Sequence, residues 1–151
     1  PSDAADLYGQ SKHQGEVADA HSVTLRTSVI GHELGTNLAL LDWFLSQRGQ
    51  AISGFTKAIY SGFTTLEMAR IVDRILTQHP ALSGVWHVAS EPISKFALLQ
   101  LCREKLGWEG VIEPNDEFVC DRSLNADRFN QATGYTPPSW EAMISELAQQ
   151  S

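Results

Sequence analysis

A tyrosine and a lysine four positions apart, Tyr8 and Lys12, are the residues here whose types and spacing point most directly to chemistry. On a helix they share one face. An ammonium beside a phenol stabilises the phenolate, so Tyr8 can hand a proton to a carbonyl oxygen while a hydride reaches the carbonyl carbon. Spacing alone also admits a plainer reading, a surface lysine next to a half-buried tyrosine. Lys12 and Glu16, again four apart, equally read as a surface ion pair worth about 0.2–0.5 kcal/mol.

Positioning that pair falls to residues 5–20, which read as a helix despite Gly9 and Gly15. Each glycine costs about 1 kcal/mol in a helix, so close packing against another element is expected there. Ser22 to Ile30 puts Val23, Leu25, Thr27 and Val29 on one face and stops at Gly31, the pattern of a buried strand. In residues 38–47 the apolar Leu38, Leu41, Trp43, Phe44 and Leu45 cover most of a short helix, which should sit deep or in an interface. Residues 51–55 and 58–61 read as two short strand pieces around a turn. Thr64 and Glu67 have the spacing of a capping box, ahead of a helix whose apolar side is Leu66, Ala69, Val72, Ile75 and Leu76 and which Pro80 stops. A strand over 84–89 follows, then a helix capped by Ser94 and ended by Gly107, a mostly irregular stretch, and a last helix from near Ser139. This alternation indicates an α/β or α+β class.

Composition narrows the partners. With 151 residues, 42% of them hydrophobic, the chain is long enough to bury a core. Its net charge of -7 disfavours nucleic acid and anionic membrane surfaces. No apolar run approaches the roughly 18 residues of a spanning helix, and no signal peptide opens the chain, so a cytoplasmic location is expected. Cys102 and Cys120 suggest reduced structural thiols. The five histidines have no metal-ligand spacing, and no metal is assigned. Glu109, Glu113, Asp116, Glu117 and Asp121 read as a solvated acidic stretch, with a cation loop as the alternative. The chain opens on Pro1, which fits a processed start, a trimmed chain or a fragment.

The pattern Tyr8-Gly9-x-Ser11-Lys12-x-x-Gly15-Glu16, followed by the strand 22–31, resembles the extended short-chain dehydrogenase/reductase family. Within it the likeness is to the nucleotide-sugar reductases of the dTDP-4-dehydrorhamnose reductase group. Arg26-Thr27-Ser28, Trp43-Phe44-Leu45, Asp121-Arg122-Ser123-Leu124 and Pro137-Pro138-Ser139-Trp140-Glu141 carry the same resemblance, which covers nearly the whole chain but only the back half of the family's pattern. No Gly-x-x-Gly-x-x-Gly follows a strand, so the backbone cradle for a cofactor pyrophosphate is absent from these residues. The fold expected is therefore α/β: a partial Rossmann-like unit contributing a late helix and strand, plus a small mixed α+β substrate domain, without the N-terminal dinucleotide-binding half. Residues 1–35 would end the nucleotide-binding domain, and residues 36–151 would form the substrate-binding portion.

By that resemblance Tyr8 is the proton donor, and Lys12 assists it and hydrogen-bonds the nicotinamide ribose of NADP or NAD. Thr27 and Ser28, at a strand end where α/β ligands gather, lie near the nicotinamide, or else simply pack and turn. Arg122 contacts a substrate phosphate, or is a solvated loop arginine. His32 reaches a sugar hydroxyl or is merely exposed, and Lys57, within the apolar segment 54–62, lines a sugar-nucleotide pocket or a packed hairpin. The reaction implied in the parent family is reduction of a keto group on a nucleotide-linked sugar, and the open strand edge and the apolar residues 38–47 lead us to expect a homo-oligomer. Because the cofactor loop is missing, the chain is expected not to act alone, and the alternative to binding NADP or NAD is that it binds no cofactor. The alternatives are a truncated, non-catalytic domain for binding or oligomerisation, and a sugar epimerase or dehydratase fragment sharing Tyr8 and Lys12.

Overall fold

The computed structural model describes residues 5–31 and 39–150. Its first helix, α1 (Leu7–Gln14), is half the length the sequence suggests. Asp6 caps it by accepting from the Gly9 amide at 2.8 Å, and Gly15 ends it. No α1 side chain is buried, so the close packing expected around its glycines is not found.

The expected strand over 22–30 is two strands, β1 (Val23–Arg26) and β2 (Val29–Ile30), parted at Thr27 and Ser28. The break changes the buried face. Val23 and Leu25 pack on the core, whereas Val29 is exposed and its neighbour Ile30 is buried. α2 (Leu40–Ser46) turns Leu41 and Phe44 fully inward. The two strand pieces expected next are a single strand, β3 (Ala51–Tyr60), with a bulge between Phe55 and Lys57 in place of the turn.

β4 (Phe63–Thr64) leads into α3 (Thr65–Gln78), where only half of the capping box forms. Thr64 accepts from the Glu67 amide at 3.4 Å, but the Glu67 carboxylate turns inward and accepts from the Tyr135 hydroxyl at 2.6 Å. Burial, reinforced by Glu67, holds the Tyr135 phenol well above its usual range. The buried face of α3 is Glu67, Ile71 and Ile75, so Val72 and Leu76, expected inside, face outward. A buried carboxylate needs such partners, and Arg70 supplies a second at 3.1 Å.

β5 (Gly84–His87) and β6 (Ile93–Ser94) precede α4 (Lys95–Leu106), which Ser94 caps and Gly107 closes at φ 60°. β7 (Val111–Asp121), α5 (Asp127–Thr133) and α6 (Trp140–Gln149) complete the chain. β7 corrects the expectation of an irregular stretch. Pro114, Asp116 and Glu117 are weak strand formers, and their strand exists because β3 offers a parallel partner.

Among the described residues β1 pairs in parallel with β5 and β2 with β4, while β3 lies between antiparallel β6 and parallel β7. Parallel strands joined through helices make this an α/β fold of partial Rossmann-like type. Gly54 lets α4 settle onto β3, since a Cβ there would lie 2.6 Å from the Phe96 ring. Phe44, Phe63, Phe129, Ile71 and Ile144 are fully buried at the centre. Trp108 stacks on Phe44 at 4.5 Å and donates its indole N–H to the Phe44 carbonyl at 2.9 Å. Cys102 is a free thiol in this core, where burial pushes it up to about 12, and Cys120 is free and half-buried. No helix among the described residues is long and apolar enough to cross a membrane.

Candidate active site

α1 stands beside the ends of β1 and β5 and frames with them an open cleft of about 1020 Å³. Tyr8, Lys12, Thr27, Ser28 and Arg122 all line it. The Tyr8 side chain is exposed, and the Lys12 ammonium rests 5.6 Å from the centre of its ring, as the helical spacing requires. Ser11 donates to the Tyr8 carbonyl at 2.8 Å, which ties the first turn of α1 to its second.

Lys12 does not pair with Glu16, contrary to the ion-pair reading of their spacing. The chain has left the helix at Gly15, so Glu16 no longer sits one turn above Lys12. It is instead gripped by Arg26 of β1, which donates Nε to Oε1 and, at 2.8 Å, Nη2 to Oε2. His13 lies 3.1 Å from the same carboxylate. A second tie joins the segment to β1: the Val17 amide and carbonyl both bond Thr24 Oγ1, at 3.0 and 2.7 Å. These contacts fix the segment after α1 to β1, which Thr27 and Ser28 follow.

The Arg26 fork holds the Glu16 carboxyl down at about 2 from its ordinary 4.5. A depressed carboxylate contributes stability that is complete above its unfolded value and is lost as pH falls through its folded value. Wild type should therefore outlast Glu16→Gln in denaturant at neutral pH, with the gap closing between about pH 4.5 and 2. Denaturation midpoints across that range check this, and a gap undiminished near pH 2 would refute it.

Arg26 and His87 are site residues that sequence reasoning missed. They face each other in the β1–β5 register, with Arg26 Nη1 3.2 Å from His87 Nε2. Burial, then the Arg26 charge, keeps His87 below its usual range, so it accepts this bond as neutral imidazole. The signal for Arg26 was present in Arg26-Thr27-Ser28. Nothing local marks His87, whose place depends on strand pairing.

The strand end is also held from the side. Ser28 accepts from the Phe63 amide at 2.9 Å, and a Cβ on Gly62 would come within 2.3 Å of the same carbonyl. Arg122 enters the cleft from the loop after β7, where its amide bonds the Ile59 carbonyl at 3.0 Å and the Leu124 amide bonds Ser61 Oγ at 2.9 Å. Lys57 is not part of this cleft. It lies on β3 across from Val119, exposed, 3.7 Å from Asp116. His32 lies outside the described residues. Among the described residues no three His, Cys, Asp or Glu side chains converge as a metal site.

No protein-family model and no curated protein matches the sequence. Solved structures do match the fold. dTDP-4-dehydrorhamnose reductase from Bacillus anthracis, solved with NADP, aligns with a TM-score of 0.69 at 15% identity, over 85% of this chain and 48% of that one. A hypothetical dTDP-4-dehydrorhamnose reductase from Sulfolobus tokodaii aligns with a TM-score of 0.69 at 25% identity, over 90% and 52%. UDP-N-acetylglucosamine 4-epimerase from Methanobrevibacter ruminantium, solved with UDP-N-acetylmuramic acid, aligns at 0.62 and 18% identity, over 95% and 49%. The chain spans about half the length of these structures, and its fold is that of half of a nucleotide-sugar reductase or epimerase.

Proposed function

We propose that this chain supplies the proton-donating pair and the substrate face of an NAD(P)H-dependent reductase acting on the keto group of a nucleotide-linked sugar in the cytoplasm. The observation that carries the reading is the single cleft that gathers Tyr8, Lys12, Thr27, Ser28 and Arg122. Residues 1–35 then belong to the nucleotide-binding unit and residues 36–151 to the substrate-binding portion.

The cleft fits the nicotinamide end of the cofactor. It is roomy, Lys12 has no carboxylate partner among the described residues, and the hydroxyls of Thr27 and Ser28 stand at a parallel strand end. It does not fit the pyrophosphate, because these 151 residues contain no Gly-rich loop to cradle one. They do not complete a cofactor site by themselves. When bound, NAD(P)H supplies the hydride that the ketone carbon takes up. Tyr8 gives its hydroxyl proton to the ketone oxygen, so the product is the alcohol. Lys12, held over the phenol ring, steadies the negative charge left on Tyr8 and hydrogen-bonds the cofactor ribose. Arg122 meets the phosphate of the sugar nucleotide.

A second reading, a non-catalytic unit that binds another copy, is favoured by one observation. Leu7 and Val17 are exposed around a helix with nothing buried, and among the described residues β1 is paired along one edge only. Titrating NADPH and NADH, by fluorescence, into the polypeptide as the cell makes it separates the two. The reductase reading expects saturable binding that Lys12→Ala weakens by about tenfold or more. Binding unchanged by that substitution, or none at millimolar cofactor, overturns it. Turnover of a keto-sugar nucleotide without net loss of NAD(P)H would replace the reductase by an epimerase.

A further inference from the structure

Lys95 is the first residue of α4 and half-buried, and the chemistry assigned to Tyr8 does not use it. Its Nζ stands 5.6 Å from the Trp43 ring centre and 5.5 Å from that of Phe55. Two other lysines are differently placed: Lys57 faces Asp116 at 3.7 Å, and Lys105 faces Glu141 and Glu104 at 3.2 and 3.4 Å. Lys95 meets no carboxylate among the described residues.

The space around this amine favours its neutral form. A pocket of about 320 Å³ reaches it, walled by Leu40 of α2, Tyr60 of β3, Phe118 and Cys120 of β7, and Arg122. No acid lines the pocket, Arg122 is a like charge, and burial keeps the Tyr60 phenol above its usual range and so uncharged. A cation in the first turn of α4 also opposes the helix dipole, and that turn contains no acid to offset it. The two aromatic faces return only part of this cost. Burial accordingly holds the amine below the usual lysine range. A half-buried amine that is readily neutral, at the wall of an open pocket, is a nucleophile with room for its product.

We propose that Lys95 is an acylation site, at which the free amine takes a short acyl group from a thioester and the amide formed occupies the pocket. Nζ attacks the acyl carbon, and the carbon–sulfur bond breaks with its electron pair left on sulfur. The nitrogen gives up one proton, so the products are an amide and a thiol, and no oxidant or reductant takes part. The amide carries no charge. Acylation therefore removes the cation that this acid-free, apolar site tolerates poorly.

The thioester of acetate with N-acetylcysteamine is the probe, applied to the polypeptide as the cell makes it, with peptide mass spectrometry reading each lysine. At about pH 7.5 Lys95 is expected to gain acetyl about fivefold or more faster than Lys57 or Lys105, and to lose that lead in guanidinium chloride. Phe118→Glu, at a half-exposed position of the pocket wall, sets an acid beside the amine and slows the reaction about threefold or more, whereas the uncharged Phe118→Gln does not. The acetylated protein melts no lower than the unmodified one, and hydroxylamine leaves its amide in place. Lys95 reacting no faster than Lys57 and Lys105, a lead that persists in denaturant, equal rates in Phe118→Glu and Phe118→Gln, a lowered melting temperature on acetylation, or acetyl that hydroxylamine strips from Cys120 with none on Lys95 overturns the proposal. The reaction uses neither NAD(P)H nor Tyr8, so it stands or falls apart from the reductase reading.

Discussion

Tyr8→Phe is expected to slow ketone reduction by about 10²–10⁴-fold, the usual contribution of a positioned general acid, while the fold and cofactor affinity stay as in wild type. In free energy this is roughly 3–5 kcal/mol of barrier. The substitution removes one hydroxyl and nothing else. The side chain is 68% exposed and no residue of α1 is buried, so the fold loses no packing with it. NADPH oxidation in the polypeptide as the cell makes it, with a keto-sugar nucleotide in excess, measures the effect. Activity within a few-fold of wild type would remove Tyr8 from the chemistry, and a matching fall in melting temperature would assign its effect to structure.

Phe129→Ala should produce the largest loss of stability, about 3–5 kcal/mol, against a total of roughly 5–15 for a typical domain. Phe129 has no exposed surface and meets Trp86 of β5 and Tyr135 edge-on, at 6.3 and 6.1 Å between ring centres. Truncation therefore opens a cavity between α5 and β5 and removes one aromatic neighbour from each of Trp86 and Tyr135. Trp86 retains the Arg128 guanidinium, 3.8 Å over its ring, and Tyr135 retains Phe63, 6.3 Å between ring centres. Thermal unfolding should shift down by roughly 6–20 °C, and a shift of a degree or two would show that the site collapses around the smaller side chain. Loss of cofactor binding at low temperature is not expected, because Phe129 does not line the Tyr8 cleft.

The features legible in the sequence are those that a few neighbouring residues decide. Ser94 and Ser139 cap their helices because a hydroxyl three residues ahead of an amide needs no help from elsewhere, and Gly107 ends α4 because it tolerates positive φ. The Tyr8–Lys12 contact belongs to the same class. The features that were not legible depend on partners far along the chain. Glu67 is buried because Tyr135, 68 residues later, offers it a proton, and that rotates the inner face of α3 away from Val72 and Leu76. β7 is a strand because β3 aligns with it, although its own residues argue for a loop. Spacing makes Glu16 a partner for Lys12, but the helix ends at Gln14 and Arg26 reaches across from β1.

The helix that carries Tyr8 and Lys12 has a consequence for how the protein opens. Eight residues are too few to hold a helix in water on their own, and α1 gains nothing from burial. Its amides should therefore exchange with solvent through a local opening that leaves β3, β7 and the Phe44–Trp108 stack closed. Tyr8 and Lys12 thus sit on a helix that opens easily, tethered by Arg26 and Thr24 at its trailing end. Whatever docks on α1, be it cofactor or protein, binds more weakly than its contacts imply, by the fraction of time the helix is formed. Docking in turn orders Tyr8 and Lys12.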